Sequence, residues 1–172
     1  EHYDRSFASI ARTVLRMDPD VVVLGEMRDE DTASIMVRAA ITGHLVFSTL
    51  HTNSAPGIIT RLADLGVSHS LLANPNLLVC LVCQRLMPKL CAHCALPIKK
   101  SKKHQPHVSR WQAAFGSATS KLKVRGDNCA KCHGLGIAGR TLVAEIIWLD
   151  ELGRQFIQQG DVLGYRRYLK EN

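Results

Sequence analysis

The stretch from Asp18 to Asn53, DPDVVVLGEMRDEDTASIMVRAAITGHLVFSTLHTN, constrains the fold more than any other part of the chain. It holds two short apolar runs, Val21 to Leu24 and Leu45 to Phe47, each too short for a helix and each followed by a polar cluster. Such runs read as buried strands. Between them, Asp31 to Ile41 is rich in Ala, Ile, Met and Val and contains neither Gly nor Pro, which predicts a helix. Strand, helix, strand is a crossover unit, so the two strands are expected to run parallel with a right-handed connection.

In an open parallel sheet, ligands lie beyond the carboxyl ends of the strands. Gly25, Glu26, Met27, Arg28 and Asp29 follow the first run; Ser48, Thr49, Leu50, His51, Thr52 and Asn53 follow the second. Glu26 and His51 therefore belong to one rim. A carboxylate there can hold the water shell of Mg²⁺ or orient an attacking water, because hard oxygen ligands suit that ion; the plainer alternative is a surface carboxylate paired with Arg28. Asp20 and His44 precede their strands, which makes Asp20 a turn residue rather than a metal ligand. Seven extended residues would separate His44 from His51 by about 23 Å at roughly 3.3 Å each, too far to serve one atom.

These residues carry a resemblance. LRMDPDVVVLGEMRDEDTA resembles the Walker B segment, and TGHLVFSTLHTN the His box, of the secretion traffic ATPases that power type II secretion and type IV pilus assembly. RLADLGV, QRL followed by LC, and GLGIAGRTLVAEIIWLD are also similar to that family, so the resemblance spans nearly the whole chain and fades only between residues 95 and 125 and in the final helix. It implies an α/β fold: the second half of a RecA-like P-loop NTPase core over residues 1–90, a tetracysteine zinc module over 91–135, and a C-terminal strand and helices over 136–172. It also implies a catalytic set of Glu26, His51 and His44. Glu26, Arg28 and His51 face ATP and Mg²⁺, Arg28 and Asp29 form a local ion pair shaping the loop, and His44 orients its loop or meets a neighbouring subunit. Six subunits are expected to close a ring that drives an inner-membrane platform protein from the cytoplasmic side. No G-x-x-x-x-G-K-[ST] phosphate loop occurs in the sequence, so these 172 residues alone are expected to be inactive.

Six cysteines form three C-x-x-C pairs: Cys80 with Cys83, Cys91 with Cys94, and Cys129 with Cys132. For a cytosolic chain such pairs point to metal rather than disulfides, and two pairs close a tetrahedral thiolate site for Zn²⁺. Cys80 and Cys83 are embedded in LLVCLVC, where a thiol behaves as a small hydrophobe. The other four sit in knuckle-like turns beside Pro97 and among Gly126, Gly134 and Gly136, and the resemblance agrees: assembly and secretion members carry a tetracysteine module here, whereas retraction ATPases generally lack it. Thirty-four residues separate Cys94 from Cys129, and they include KKSKKHQPHVSR, whose His104 and His107 are alternative ligands or loop residues.

The remaining features follow from composition and periodicity. With 46% hydrophobic residues the chain can fill a core, and no apolar run is long enough for a membrane helix. The opening EHYDRSF does not form a signal peptide, so a cytoplasmic location is expected. Phe7, Ile10, Ala11, Val14 and Leu15 have the spacing of one helix face, with Ser6 as its cap; Pro56 and Gly57 open another helix, Trp111 to Phe115 a short one, and Leu149, Leu152 and Phe156 mark a helix that Gly160 ends. Arg140 and Glu145 are expected to form a structural pair. The net charge of +7 is local: from Arg85 to Gly126 there are ten Lys or Arg and no acid. That run suits a solvated face, an anionic membrane surface or phosphates, and it makes a zinc-ribbon module binding nucleic acid or protein without catalysis the rival to the ATPase reading, with nucleic acid the less favoured partner.

Overall fold

The structure, a computed structural model, describes residues 6–171. The expectation drawn from EHYDRSF falls largely outside these residues, as does the side chain of Phe7. Helix α1 (Phe7–Leu15) begins at Ser6, whose hydroxyl accepts from the Ser9 N–H at 3.3 Å as expected of its cap. Strand β1 (Val21–Leu24), helix α2 (Glu30–Ile41) and strand β2 (Leu45–Ser48) form the crossover unit. The strands pair parallel, with Val21 opposite Leu45 and Leu24 opposite Ser48. Between α2 and β2 the chain turns at Gly43, whose φ of +105° is a conformation that side chains rarely adopt.

Helix α3 (Ala55–Asp64) and the single turn α4 (His69–Leu72) follow. Next come the long strand β3 (Cys80–Leu90) and the two-residue strand β4 (Leu96–Pro97). Helix α5 (Val108–Phe115), with 3-10 turns on both sides, precedes strand β5 (Lys123–Val124). A second long strand, β6 (Ile137–Trp148), pairs with β3, and helices α6 (Glu151–Gln159) and α7 (Val162–Glu171) close the chain. Two compact units result: residues up to Cys83 together with those from Ala144 onward, and Gln84–Val143.

In the first unit α2 is buried on two sides, which explains why its sequence is apolar with little polar face. Ile35 and Met36 join Ala8, Ala11 and Val22 in a cluster under the sheet; Ala33 and Val37 join a larger core with Ile59, Leu62, Leu72, Leu81, Ile147, Ile157 and Tyr165. The strands depart from the expectation of full burial. Val22 is 7% exposed, but Val23 is 76% and Phe47 54% exposed. Helices α1 and α2 cover one face of β1 and β2 only, so successive residues alternate between core and surface.

The closing helices are tied in by polar groups. Arg154 on α6 donates to the carbonyls of Asn74, Leu78 and Leu149 at 3.0, 2.7 and 3.3 Å, and Asp150 caps α6 through the Gly153 N–H at 2.7 Å while accepting from the Tyr168 hydroxyl of α7. A forked guanidinium suits three divergent carbonyls in a way that a lysine ammonium does not. Arg154→Ala is therefore expected to lower unfolding stability by about 3 kcal/mol, and Arg154→Lys to recover only part of it; the midpoint of urea unfolding measures both.

Candidate functional site

The rim at the carboxyl ends of β1 and β2 is built by hydrogen bonds between the two loops that leave them. The Thr49 hydroxyl donates to the Gly25 carbonyl at 2.5 Å, and the Met27 N–H donates to the Thr49 carbonyl at 3.1 Å. This clasp sets Glu26 and His51 side by side. The Glu26 carboxylate, whose side chain is 19% exposed, places Oε1 3.0 Å from His51 Nε2 and Oε2 2.6 Å from Arg28 Nε. His51 and Arg28 themselves face solvent. The arrangement is a mostly buried carboxylate between the Arg28 guanidinium and the His51 ring, both exposed at its mouth, where an anion approaching the rim would meet them first.

Arg28 thus pairs with Glu26 rather than with Asp29. Asp29 caps α2 instead, accepting from the Thr32 N–H at 2.8 Å. His44 stands at the opposite end of β2 from His51. Its Nδ1 lies 3.1 Å from the Ala39 carbonyl and 3.2 Å from the Thr42 hydroxyl, so the ring closes the C-terminus of α2. Of the expected set, Glu26, Arg28 and His51 come together and His44 does not join them.

The second unit brings together Cys91, Cys94, Cys129 and Cys132, with all four sulphurs within 4.8 Å of one another. The Cys94 and Cys132 sulphurs are 3.8 Å apart. Four sulphurs around a metal at 2.3 Å would have edges of about 3.8 Å, so the donor set fits a tetrahedral thiolate ion such as Zn²⁺. Backbone groups support it: the Gly136 N–H donates to Cys132 Sγ at 3.2 Å, and the Gly136 carbonyl accepts from the Cys91 N–H at 3.0 Å. A side chain at Gly126 would overlap the Cys94 carbonyl, which fixes glycine in that turn. Removal from water, reinforced by the neighbouring thiols, pushes Cys94 up to about 12, while the Cys132 backbone N–H holds Cys129 below the usual thiol range. Four thiols this close share protons that a divalent cation would displace.

The long spacing between the cysteine pairs is closed by the antiparallel pairing of β4 with β5, Leu96 opposite Val124 and Pro97 opposite Lys123. His104 and His107 take no part in the metal cluster. His104 lies 2.8 Å from the Ser101 hydroxyl, and both rings lie against Trp111 at centroid distances of 6.0 Å. Cys80 and Cys83 are three residues apart on β3 and so point to opposite faces, which prevents them from acting as a pair.

Two contributors were not foreseen as site residues. Thr49 lies inside the STLHTN run, where its neighbour His51 draws attention first. Glu145, expected to pair with Arg140, instead accepts from the Ala55 N–H at 2.6 Å, at the start of the helix that follows the His51 loop. Its distance in sequence leaves no local signal.

The family described as Type II/IV secretion system protein matches residues 1–172. A Klebsiella pneumoniae type II secretion system protein E is 43% identical over 160 residues, covering 92% of this chain and 30% of that protein. The type II secretion system ATPase E of Vibrio cholerae is 40% identical over 156 residues, covering 90% of this chain and 29% of its own. The crystal structure of the pilus retraction motor PilT with bound ADP superposes with a TM-score of 0.63 at 28% identity, covering 98% of this chain and 37% of PilT. The mixed α/β fold with parallel strands therefore resembles that of PilT, and the chain spans about a third of the length of the relatives it matches.

The Asp29 cap generates a pH prediction. The Thr32 N–H holds its carboxyl below the usual carboxylate range, so its contribution to stability is complete above the ordinary aspartate value near 4 and disappears as pH falls through the depressed folded value. Asp29→Ala should cost about 1 kcal/mol at pH 7 and little at pH 2, as read from unfolding midpoints at the two pH values.

Proposed function

Since the chain belongs to the Type II/IV secretion system protein family, we propose that it is the C-terminal part of an ATPase subunit that powers type II secretion or type IV pilus assembly. The observation that carries this is the Glu26 carboxylate, held between Arg28 and His51 at the ends of two parallel strands. ATP with Mg²⁺ would supply the phosphoryl group and a divalent charge to offset the phosphate charge. Glu26 would orient an attacking water and the hydration shell of the ion, and Arg28 and His51 would offer donors to phosphate oxygens. Phosphoryl transfer needs such positioning more than covalent help. His44 orients the turn between α2 and β2 through its contacts with Ala39 and Thr42.

The phosphate grip belongs to sequence outside these residues, so the 172-residue chain alone should show no useful turnover. Assembly into a hexameric ring that works on a platform protein at the inner membrane completes the proposal. One feature supports that location: residues 84–143 carry twelve Lys or Arg against a single acid, Asp127, a surplus suited to the anionic cytoplasmic leaflet. Nucleic acid fits this surface less well. Lysine point charges outnumber arginine forks, and Trp111, the one tryptophan in the basic stretch, already has His104 and His107 against it.

In the whole protein, Glu26→Gln should lower kcat for ATP by about a hundredfold or more with KM little changed; wild-type turnover in that variant would overturn the proposal. The cysteine centre is proposed to hold structural zinc. Purified protein should then contain about one zinc per chain, and Cys94→Ser should lose it together with the heat stability of the Gln84–Val143 unit, as measured by elemental analysis and calorimetry.

A further inference from the structure

The start of α3 has few backbone donors to satisfy. Its sequence is Ser54-Ala55-Pro56-Gly57. Pro56 has no N–H, and the Gly57 N–H donates to the Ser54 hydroxyl at 3.2 Å. What remains is the N–H of Ala55, a residue with 0% exposure that water does not reach. It donates to Glu145 Oε2 at 2.6 Å, across 90 residues of sequence. A carboxylate at this place also matches the positive end of the helix dipole.

His51 lies four residues before Ala55. Its side chain is 88% exposed and meets Glu26 at 3.0 Å, so packing does little to place the ring and the backbone beneath it does most. That backbone is tied at two ends. On one side Thr49 is clasped to Gly25 and Met27; on the other Ala55 is held by Glu145. Between them the Thr52 hydroxyl donates to the Ser54 carbonyl at 3.2 Å, which stiffens the approach to the helix.

We infer that Glu145 is a positioning residue for His51. Through the Ala55 N–H it fixes the far end of the loop that carries the imidazole, and so sets where the ring stands against Glu26. The carboxylate comes from β6, 90 residues after Ala55 in sequence. The role rests on the proposed catalytic use of Glu26 and His51, but the restraint itself exists without nucleotide.

The test uses the whole protein containing this chain, free of nucleotide, with hydrogen exchange followed by peptide in wild type, Glu145→Ala and Glu145→Gln. Loss of a charge-assisted hydrogen bond should speed exchange in residues 49–57 about tenfold in Glu145→Ala, with α2 and α6 unchanged. Glu145→Gln, whose amide oxygen still accepts, should recover most of the protection. In turnover assays Glu145→Ala should lower kcat with KM for ATP unchanged, and Glu145→Gln should restore part of it. Unchanged exchange in residues 49–57, or exchange raised by the same factor in α2 and α6, overturns the inference. If Glu26→Gln leaves turnover intact, the catalytic proposal fails instead, and the exchange comparison still decides whether Glu145 holds the loop.

Discussion

Thr49 joins the two loops that matter. Its hydroxyl and its carbonyl bind the backbone that follows β1, so the ends of two parallel strands share one hydrogen-bonded corner. Parallel pairing places both carboxyl ends on the same side of the sheet, and the corner turns that topological fact into a carboxylate and an imidazole 3.0 Å apart. Everything proposed for the site depends on this. If β2 slipped by one residue against β1, the loop carrying His51 would leave Glu26 and the side chains under the sheet would exchange faces.

The same strands show how the first unit is organised. Val21, Val23, Leu45 and Phe47 are half or more exposed on the face away from α1 and α2, while Val22 is buried. The apolar content of these strands exceeds what the described residues can cover. Helix α2, lying between two cores, has the opposite condition: it is covered on both sides and carries few polar groups. The second unit relies on different physics. There a basic, polar segment is closed by a two-residue ladder and by four sulphurs within 4.8 Å, a cluster that brings together turns 34 residues apart in sequence.

What could be read from sequence was what neighbours in sequence decide. The crossover unit, the Ser6 cap, the helix opened at Pro56 and the one ended at Gly160 all follow from local periodicity and turn chemistry. The choice among the cysteine pairs was also legible, because thiols embedded in LLVCLVC read as small hydrophobes while the other four sit in knuckle-like turns, and those four come together. The exposure of one face of β1 and β2 was not, since an apolar run does not say whether both of its faces find cover. The partner of Arg28 was ambiguous because acids stand on both sides of it; geometry selects Glu26 and leaves Asp29 to cap α2. Glu145 was misassigned for a deeper reason: its partner is a backbone N–H 90 residues away, and no side-chain pattern announces it.

The most direct test of the account is a structure of the whole protein with Mg²⁺ and a non-hydrolysable ATP analogue. The account predicts that the terminal phosphate lies at the rim formed by the ends of β1 and β2, with His51 Nε2 turned from Glu26 to a phosphate oxygen and the Glu26 carboxylate facing the water shell of the ion. A nucleotide bound elsewhere, with the Glu26–His51 contact unchanged, would contradict it.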